Sequence, residues 1–308
     1  MEATVYKSTG SWYQVKTPDG KMLQARIKGK FKIDQLNSTN PIAVGDRVIL
    51  ENEEDQESTV INEILPRRNY IIRTSPHNKN QFHIVASNID QTLLFATIRD
   101  PKTSSGFIDR FLITAEAYHV PAILVFNKID LLKPKDVAQL NEWKKRYESV
   151  GYRVLGVSLQ STSGVDELMA CLQGKITLIS GHSGVGKSTF INHIFPSLQL
   201  RTKDVSGWSG KGMHTTTFAE MFDLPDGGSI IDTPGIRELG LVNIKKQELS
   251  HFFPEMRNLM SQCQFNNCSH THEPGCAIKN AVASNSIDAE RYVSYLNILD
   301  SLNDNDYQ

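Results

Sequence analysis

No stretch of the chain approaches the ~18 consecutive apolar residues of a membrane-crossing helix, and the opening MEATVYKSTG has no apolar signal core. Those absences argue against a helical membrane protein and predict a cytoplasmic one. Cysteine is scarce, with four in 308 residues, which excludes the disulfide framework of a small secreted domain. Three of the four nevertheless fall between positions 263 and 276, and that clustering points to metal. Charge of one sign is missing too: 33 Lys+Arg against 34 Asp+Glu leave a formal net charge of −1. Any contact with nucleic acid must therefore use a local patch rather than a global field. What is present is 39% hydrophobic residues, enough for real cores, on a length that suggests about two or three domains.

The most informative stretch is Gly181-His182-Ser183-Gly184-Val185-Gly186-Lys187-Ser188, which fits the phosphate-binding P-loop G-x-x-x-x-G-K-[ST]. Lys175 to Ser180 reads as a buried strand before it, and Thr189 to Phe195 can open a helix after it. A strand, a glycine turn and a helix N-terminus aim backbone N–H groups and the positive end of the helix dipole at one point, where a polyphosphate is stabilised. Lys187 is placed to reach the β/γ-phosphates and Ser188 to ligate Mg²⁺.

Strands and helices alternate on either side of this loop. Gln91–Thr97, Pro121–Phe126 and Arg153–Ser158 read as strands; Ile108–Tyr118, Asn141–Val150 and Val165–Leu172 read as helices. The pattern predicts a mostly parallel sheet covered on both faces. Asn127-Lys128-Ile129-Asp130 follows the strand ending at Phe126. This N-K-x-D pattern reads guanine, because the Asp130 carboxylate can accept from a ring N–H and an exocyclic amine that adenine does not offer. Ser158 ends the next strand and is a candidate second base contact. The stretch from Ser229 to Gly235 reads as a strand ending in D-x-x-G, Asp232-Thr233-Pro234-Gly235, with Asp232 toward Mg²⁺ and the Gly235 N–H toward a γ-phosphate. Thr215 or Thr216, in the stretch before the strand Phe218–Leu224, can complete the Mg²⁺ shell. The order is unusual. In ordinary GTPases the P-loop comes first and the base-reading loops last; here the base-reading loops precede the P-loop, so the domain is circularly permuted.

Residues 1 to about 65 look all-β. Thr4–Lys7, Trp12–Lys16, Met22–Ile27, Val44–Leu50 and Ser58–Ile64 are short strand signals, with a turn at Pro18-Asp19-Gly20-Lys21. Such a set predicts a small closed barrel of OB type. Lys21, Arg26, Lys28, Lys30 and Lys32, near Trp12, Tyr13 and Phe31, form either an RNA-binding face or an ordinary solvated loop beside core aromatics. The acidic stretch Glu51–Glu57 is expected to be a hairpin loop facing elsewhere. Pro66-Arg67-Arg68-Asn69 marks a boundary.

Barrel, permuted GTPase motifs and the cysteine-rich segment together resemble the family of circularly permuted GTPases called ribosome small-subunit-dependent GTPase A, over essentially the whole chain. The resemblance implies a multidomain α/β protein: an OB-fold β-barrel over 1–68, a circularly permuted P-loop GTPase domain over 69–242, and a zinc-binding α-helical domain over 243–308. It implies GTP/GDP, Mg²⁺ and one Zn²⁺ as ligands. Weak intrinsic hydrolysis, stimulation by the 30S ribosomal subunit, contact with 16S rRNA and a role in late maturation of that subunit follow as well. A monomer without membrane association is expected. Met213 stands where the family has an arginine, and Leu159 follows Ser158 where it has alanine.

Two further residue sets gain meaning from that resemblance. Ras-like GTPases orient the attacking water with a Gln just after D-x-x-G; here the position is Ile236, which cannot hold water. His214 is the nearest substitute, able to position water once a partner orders its loop, unless it is only a surface histidine. Cys263, Cys268, a histidine and Cys276 make a Cys₃His set suited to a closed structural zinc site. His270 and His272 are both near, and the C-x-H spacing of the family selects His270. Cys171 lies on a helical apolar pattern and is expected in the core. Asp288–Leu302 has the spacing of an amphipathic helix over the zinc lobe. Two other readings compete: an RNA-binding zinc protein with a vestigial nucleotide domain, opposed by the intact Lys187, Ser188, Asp232 and Asp130, and a P-loop ATPase or kinase, opposed by Asp130.

Overall fold

The computed structural model describes residues 1–27, 40–52, 59–74, 81–198, 219–233 and 244–303. Strands β1 (Glu2–Ser8), β2 (Tyr13–Lys16), β3 (Met22–Ile27), β4 (Arg47–Asn52) and β5 (Thr59–Ile64) run in the order β1-β2-β3-β5-β4, and β4 pairs back onto β1. All pairs are antiparallel except β3–β5. This is the closed five-stranded OB barrel. Alternation along β2 sends Tyr13 and Val15 inward onto Val5, Ala25, Val48 and Ile61. Tyr13 is therefore barrel core, 1% exposed, and presents nothing to RNA, whereas Trp12 is 47% exposed. Lys28, Lys30, Phe31 and Lys32, and the acidic stretch from Glu53 on, lie outside the described residues.

Between barrel and sheet the structure has an element that the sequence reading did not include, the hairpin β6 (Tyr70–Thr74) and β7 (Phe82–Ser87). The boundary residue Arg67 is tied down beside it. Its guanidinium makes a fork of two 2.6 Å bonds to Asp46, which is fully buried and also accepts from the Ser87 hydroxyl at 2.6 Å. Planar bidentate geometry suits arginine to such a site.

The second unit comprises β8 (Gln91–Ala96), α1 (Ser105–Ala117), β9 (Ala122–Phe126), α2 (Pro134–Glu148), β10 (Arg153–Gly156), α3 (Val165–Leu172), β11 (Ile176–Ser180), α4 (Lys187–Ile194), β12 (Glu220–Asp223) and β13 (Ser229–Asp232). Spatial order is β10-β9-β8-β11-β13-β12, parallel except at β12. All six residues of β8 are buried, as expected of a strand covered on both faces. Phe111, Leu112, Trp143 and Tyr147 of α1 and α2 pack on one face; Leu168, Cys171, Leu172, Phe190 and Ile191 of α3 and α4 pack on the other. Helix α2 starts about two turns before Asn141, because Pro134 opens it and the Asp136 carboxylate accepts from the Lys133 N–H at 3.0 Å. Its first turn opens on Lys135 and Asp136 with Val137 exposed, so the buried apolar period begins only at Leu140. At the far edge β12 pairs with β1 at Lys7 and Glu220, so barrel and parallel sheet form one 11-stranded run.

After Ile244 the chain is helical: 3₁₀ turns at Lys246–Phe252 and Met260–Gln262, α5 (Pro254–Arg257), α6 (Ala277–Ala283) and α7 (Ala289–Asn303). Leu249, Phe253, Met256, Ile278, Tyr295 and Ile298 form its core, and Ile113 of α1 is inserted among them.

Candidate nucleotide site and zinc centre

Strand order reverses between β8 and β11: the chain runs outward through β9 and β10, then returns to place β11 beside β8. Open α/β sheets bind ligands outside the carboxyl ends of their strands at such a switch point. The glycine loop 181–186 leaves β11 there, and the residues after β9 and β10 converge on it. Gly186 caps α4 with φ of +105°, and a Cβ on it would sit 2.1 Å from Asn127 Nδ2; a Cβ on Gly181 would meet the Phe95 carbonyl oxygen at 2.3 Å. Only glycine permits both the left-handed turn and the close docking of the neighbouring loop.

That docking is specific. Asn127 Nδ2 donates to the Val185 carbonyl at 2.9 Å, clasping the N-K-x-D segment to the phosphate loop. Asn127 is 4% exposed, and its Oδ1 is buried with no hydrogen-bond partner. An orphaned buried acceptor is costly unless a ligand or water satisfies it. Lys128 takes a left-handed φ of 63° and donates from Nζ to the Asp100 carbonyl at 2.6 Å. Asp130 stands exposed on the 3₁₀ turn Ile129–Leu131. Ser158 is buried, and its hydroxyl accepts from the Ser161 N–H at 3.1 Å, so it shapes its loop.

Lys187 Nζ donates to the carbonyls of Gly181 at 2.5 Å and His182 at 2.7 Å. Burial lowers its pKa, opposed by the negative Asp232; burial raises the Asp232 carboxyl, opposed by Lys187. Partial burial thus works against both charges, and their mutual attraction offsets part of it. Ser183, Gly184 and Thr189 are exposed along the loop, and Ser188 is half-buried at the start of α4. The loop thus offers helix N–H groups, an ammonium, a hydroxyl and a carboxylate, a donor set that fits a nucleotide polyphosphate with Mg²⁺. His214, Thr215, Thr216 and Gly235 lie outside the described residues, as do Met213 and Ile236. The sequence reading had no signal for two long-range contacts: the Phe107 ring stacks on His182 with centroids 3.7 Å apart, and Pro101 packs against Gly184.

In the helical lobe, the ligand atoms of Cys263, Cys268, His270 and Cys276 lie within 4.8 Å of one another. His270 Nδ1 is 3.6 Å from Cys263 Sγ and 3.5 Å from Cys276 Sγ. Tetrahedral zinc with Zn–S of about 2.3 Å and Zn–N of about 2.0–2.1 Å implies S···N edges of roughly 3.5–3.6 Å. The cluster therefore fits a closed structural zinc ion. His272 faces away, exposed, with Nδ1 2.9 Å from the Thr271 hydroxyl. The loop is fixed from behind: Tyr292 donates to the His270 carbonyl and Tyr295 to the Ser269 carbonyl, both at 2.7 Å. Glu273 accepts from the Ser269 and Thr271 N–H groups. Burial pushes its carboxyl up, but these bonds and that of the Ser269 hydroxyl outweigh it and hold it at about 2.

Among the described residues, no helix is long and apolar enough to cross a membrane. The RsgA GTPase family profile matches residues 64–242, and the RsgA N-terminal domain profile matches residues 2–60. "Small ribosomal subunit biogenesis GTPase RsgA 2" of Bacteroides thetaiotaomicron is 48% identical over 100% of this chain and 99% of its own length. The Cytophaga hutchinsonii protein "Small ribosomal subunit biogenesis GTPase RsgA" is 52% identical over 97% of this chain and 98% of its own. Among solved structures, YjeQ from Thermotoga maritima superposes with a TM-score of 0.80 at 32% identity, covering 98% of each chain. YloQ, described as a circularly permuted GTPase, gives 0.76 at 28% identity, covering 99% of this chain and 95% of its own. With both profiles in register, and relatives matched end to end, the chain belongs to the RsgA GTPase family.

Proposed function

We propose that the chain is a Mg²⁺-dependent GTP hydrolase that acts in maturation of the small ribosomal subunit. The observation that carries this reading is the clasp at the switch point, where Asn127 bonds the Val185 carbonyl and brings base-reading and phosphate-binding loops together. Asp130 selects guanine, with Asn127 and Lys128 framing the ring and Ser158 shaping the second base loop. The N–H groups of Gly181 to Thr189 cradle the phosphates, and Lys187 neutralises their charge. Ser188, Asp232 and Thr215 or Thr216 would hold Mg²⁺, which would supply further neutralisation of phosphate charge. The Gly235 N–H registers the γ-phosphate, and His214 orients the attacking water in place of the glutamine that Ile236 replaces. Zinc at Cys263, Cys268, His270 and Cys276 holds the helical lobe together. Partners are the 30S subunit and its 16S rRNA; the protein works as a cytoplasmic monomer with barrel and zinc lobe on RNA and no membrane contact.

The test is GTP turnover with and without purified small subunits at several salt concentrations, since phosphate contacts are screened. Turnover should rise strongly with subunits and the rise should fade with salt. His214→Ala should abolish the stimulated turnover and spare GTP binding, and Asp130→Asn should shift preference from guanine toward xanthine. If calorimetry finds no binding of GTP or GDP to the purified chain, the reading is wrong.

A further inference from the structure

Helix α1 touches both the phosphate loop and the lobe that carries the Cys₃His cluster. At its N-terminal end, Ser104 caps the helix by accepting from the Phe107 N–H at 3.2 Å, which fixes Phe107 in the first turn. The Phe107 ring stacks on His182 with planes 28° apart. His182 is the residue whose carbonyl receives the Lys187 ammonium at 2.7 Å. The loop leading into α1 reaches the rest of the site through the Asp100 carbonyl on Lys128 and Pro101 against Gly184.

The other side of α1 belongs to the zinc lobe. Asp109, two residues after Phe107 and 1% exposed, accepts from Arg291 of α7 at 2.6 Å; Arg291 is fully buried and also forks onto Glu255 at 2.7 and 3.1 Å. Arg110 donates to Ser301 at 3.1 Å, Ile113 is buried in the lobe's core, and Glu116 accepts from Arg257 at 3.1 Å. The turns from Asp109 to Glu116 are thus bolted to the lobe, while the first turn of the same helix braces the phosphate loop. A helix transmits displacement along its length because packed interiors resist compression.

We infer that α1 is a strut through which the zinc lobe sets the position of Lys187, with Phe107 as the positioning residue acting through His182. The inference rests on the nucleotide reading above and adds a specific path to it. Because Lys187 serves the β- and γ-phosphates and not the base, a fault in the strut should weaken GDP and leave GMP unchanged.

The experiment measures guanosine, GMP and GDP binding to the full-length, zinc-loaded chain by calorimetry or competition. Phe107→Ala should lower the ratio of GDP to GMP affinity by about tenfold, the scale of one lost aromatic stack, and Phe107→Tyr should restore it. Arg291→Lys keeps the buried charge and loses the fork; it should lower the same ratio severalfold at unchanged zinc content. Equal losses for all three ligands would mean general loosening and overturn the strut. So would an unchanged ratio in either Phe107→Ala or Arg291→Lys. If the parent chain itself binds no GDP, the nucleotide reading falls with it; if the parent binds and the variants match it, only the strut falls.

Discussion

The permuted GTPase sheet is joined to its two neighbours in opposite ways. The barrel meets it along an edge strand, with β1 beside β12 and a seam of half-exposed polar contacts: Lys7 on Glu220 at 2.7 Å, Lys16 on Asp223 at 2.5 Å and the Tyr6 hydroxyl on Asp223 at 2.6 Å. The zinc lobe meets it through a dry latch, with Arg291 and Asp109 both out of contact with water and Ile113 crossing into the lobe's core. Water-screened pairs contribute little and exchange easily. A buried pair contributes little against an apolar substitute, yet breaking it leaves a stranded charge. The barrel joint is therefore built to yield and the lobe joint to hold.

Substitutions should reveal that difference, the latch first. Arg291→Met strands Asp109 and Glu255 and should cost about 3–5 kcal/mol, read as a lowered urea midpoint. Ile113→Ala, which opens a cavity across the same joint, should cost about 2–5 kcal/mol, and a midpoint within error of the parent would show that the lobe does not depend on that contact. Acid should then separate the two joints. Burial pushes the Asp223 carboxyl up, but hydrogen bonds from Lys16, Tyr6 and Ser229 outweigh it and hold it below its ordinary 3.8. Its contribution is therefore complete above that value and lost as pH falls through the lower folded one. For Asp109 burial wins over the pull of Arg291 and raises the carboxyl, so acid removes no stability through it. Protection from hydrogen exchange, taken relative to the intrinsic rate at each pH, should fall at the Lys7–Glu220 pairing before it falls in α7; simultaneous loosening would contradict the contrast. The smallest effect is expected for Lys7→Ala, below about 1 kcal/mol and fading with added salt.

Much of this was legible in the sequence where the signal is local. The glycine loop, N-K-x-D and the Cys₃His spacing each demand particular residues at short separations, and backbone geometry brings each set together. The closed barrel also follows from alternation, as Tyr13 and Val15 facing inward illustrate. Local signals fail where a residue's role depends on a distant partner. Tyr13 and Trp12 are adjacent aromatics, and only the strand's facing decides which is core. Phe107 finds His182 across 75 positions and Asp109 finds Arg291 across 182; nothing near either residue announces the pairing. The hairpin β6–β7 and the first turn of α2 escape local reading for a different reason: the one follows a basic boundary, and the other opens on Pro134, Lys135 and Asp136.

The pairing of β12 with β1 has a bearing on solubility. A sheet edge presents a row of unpaired N–H and C=O groups that recruit other strands. Here the barrel meets that edge at Lys7 and Glu220, so the GTPase portion expressed without residues 1–68 would leave β12 without that partner, and self-association of such a fragment is the behaviour to expect.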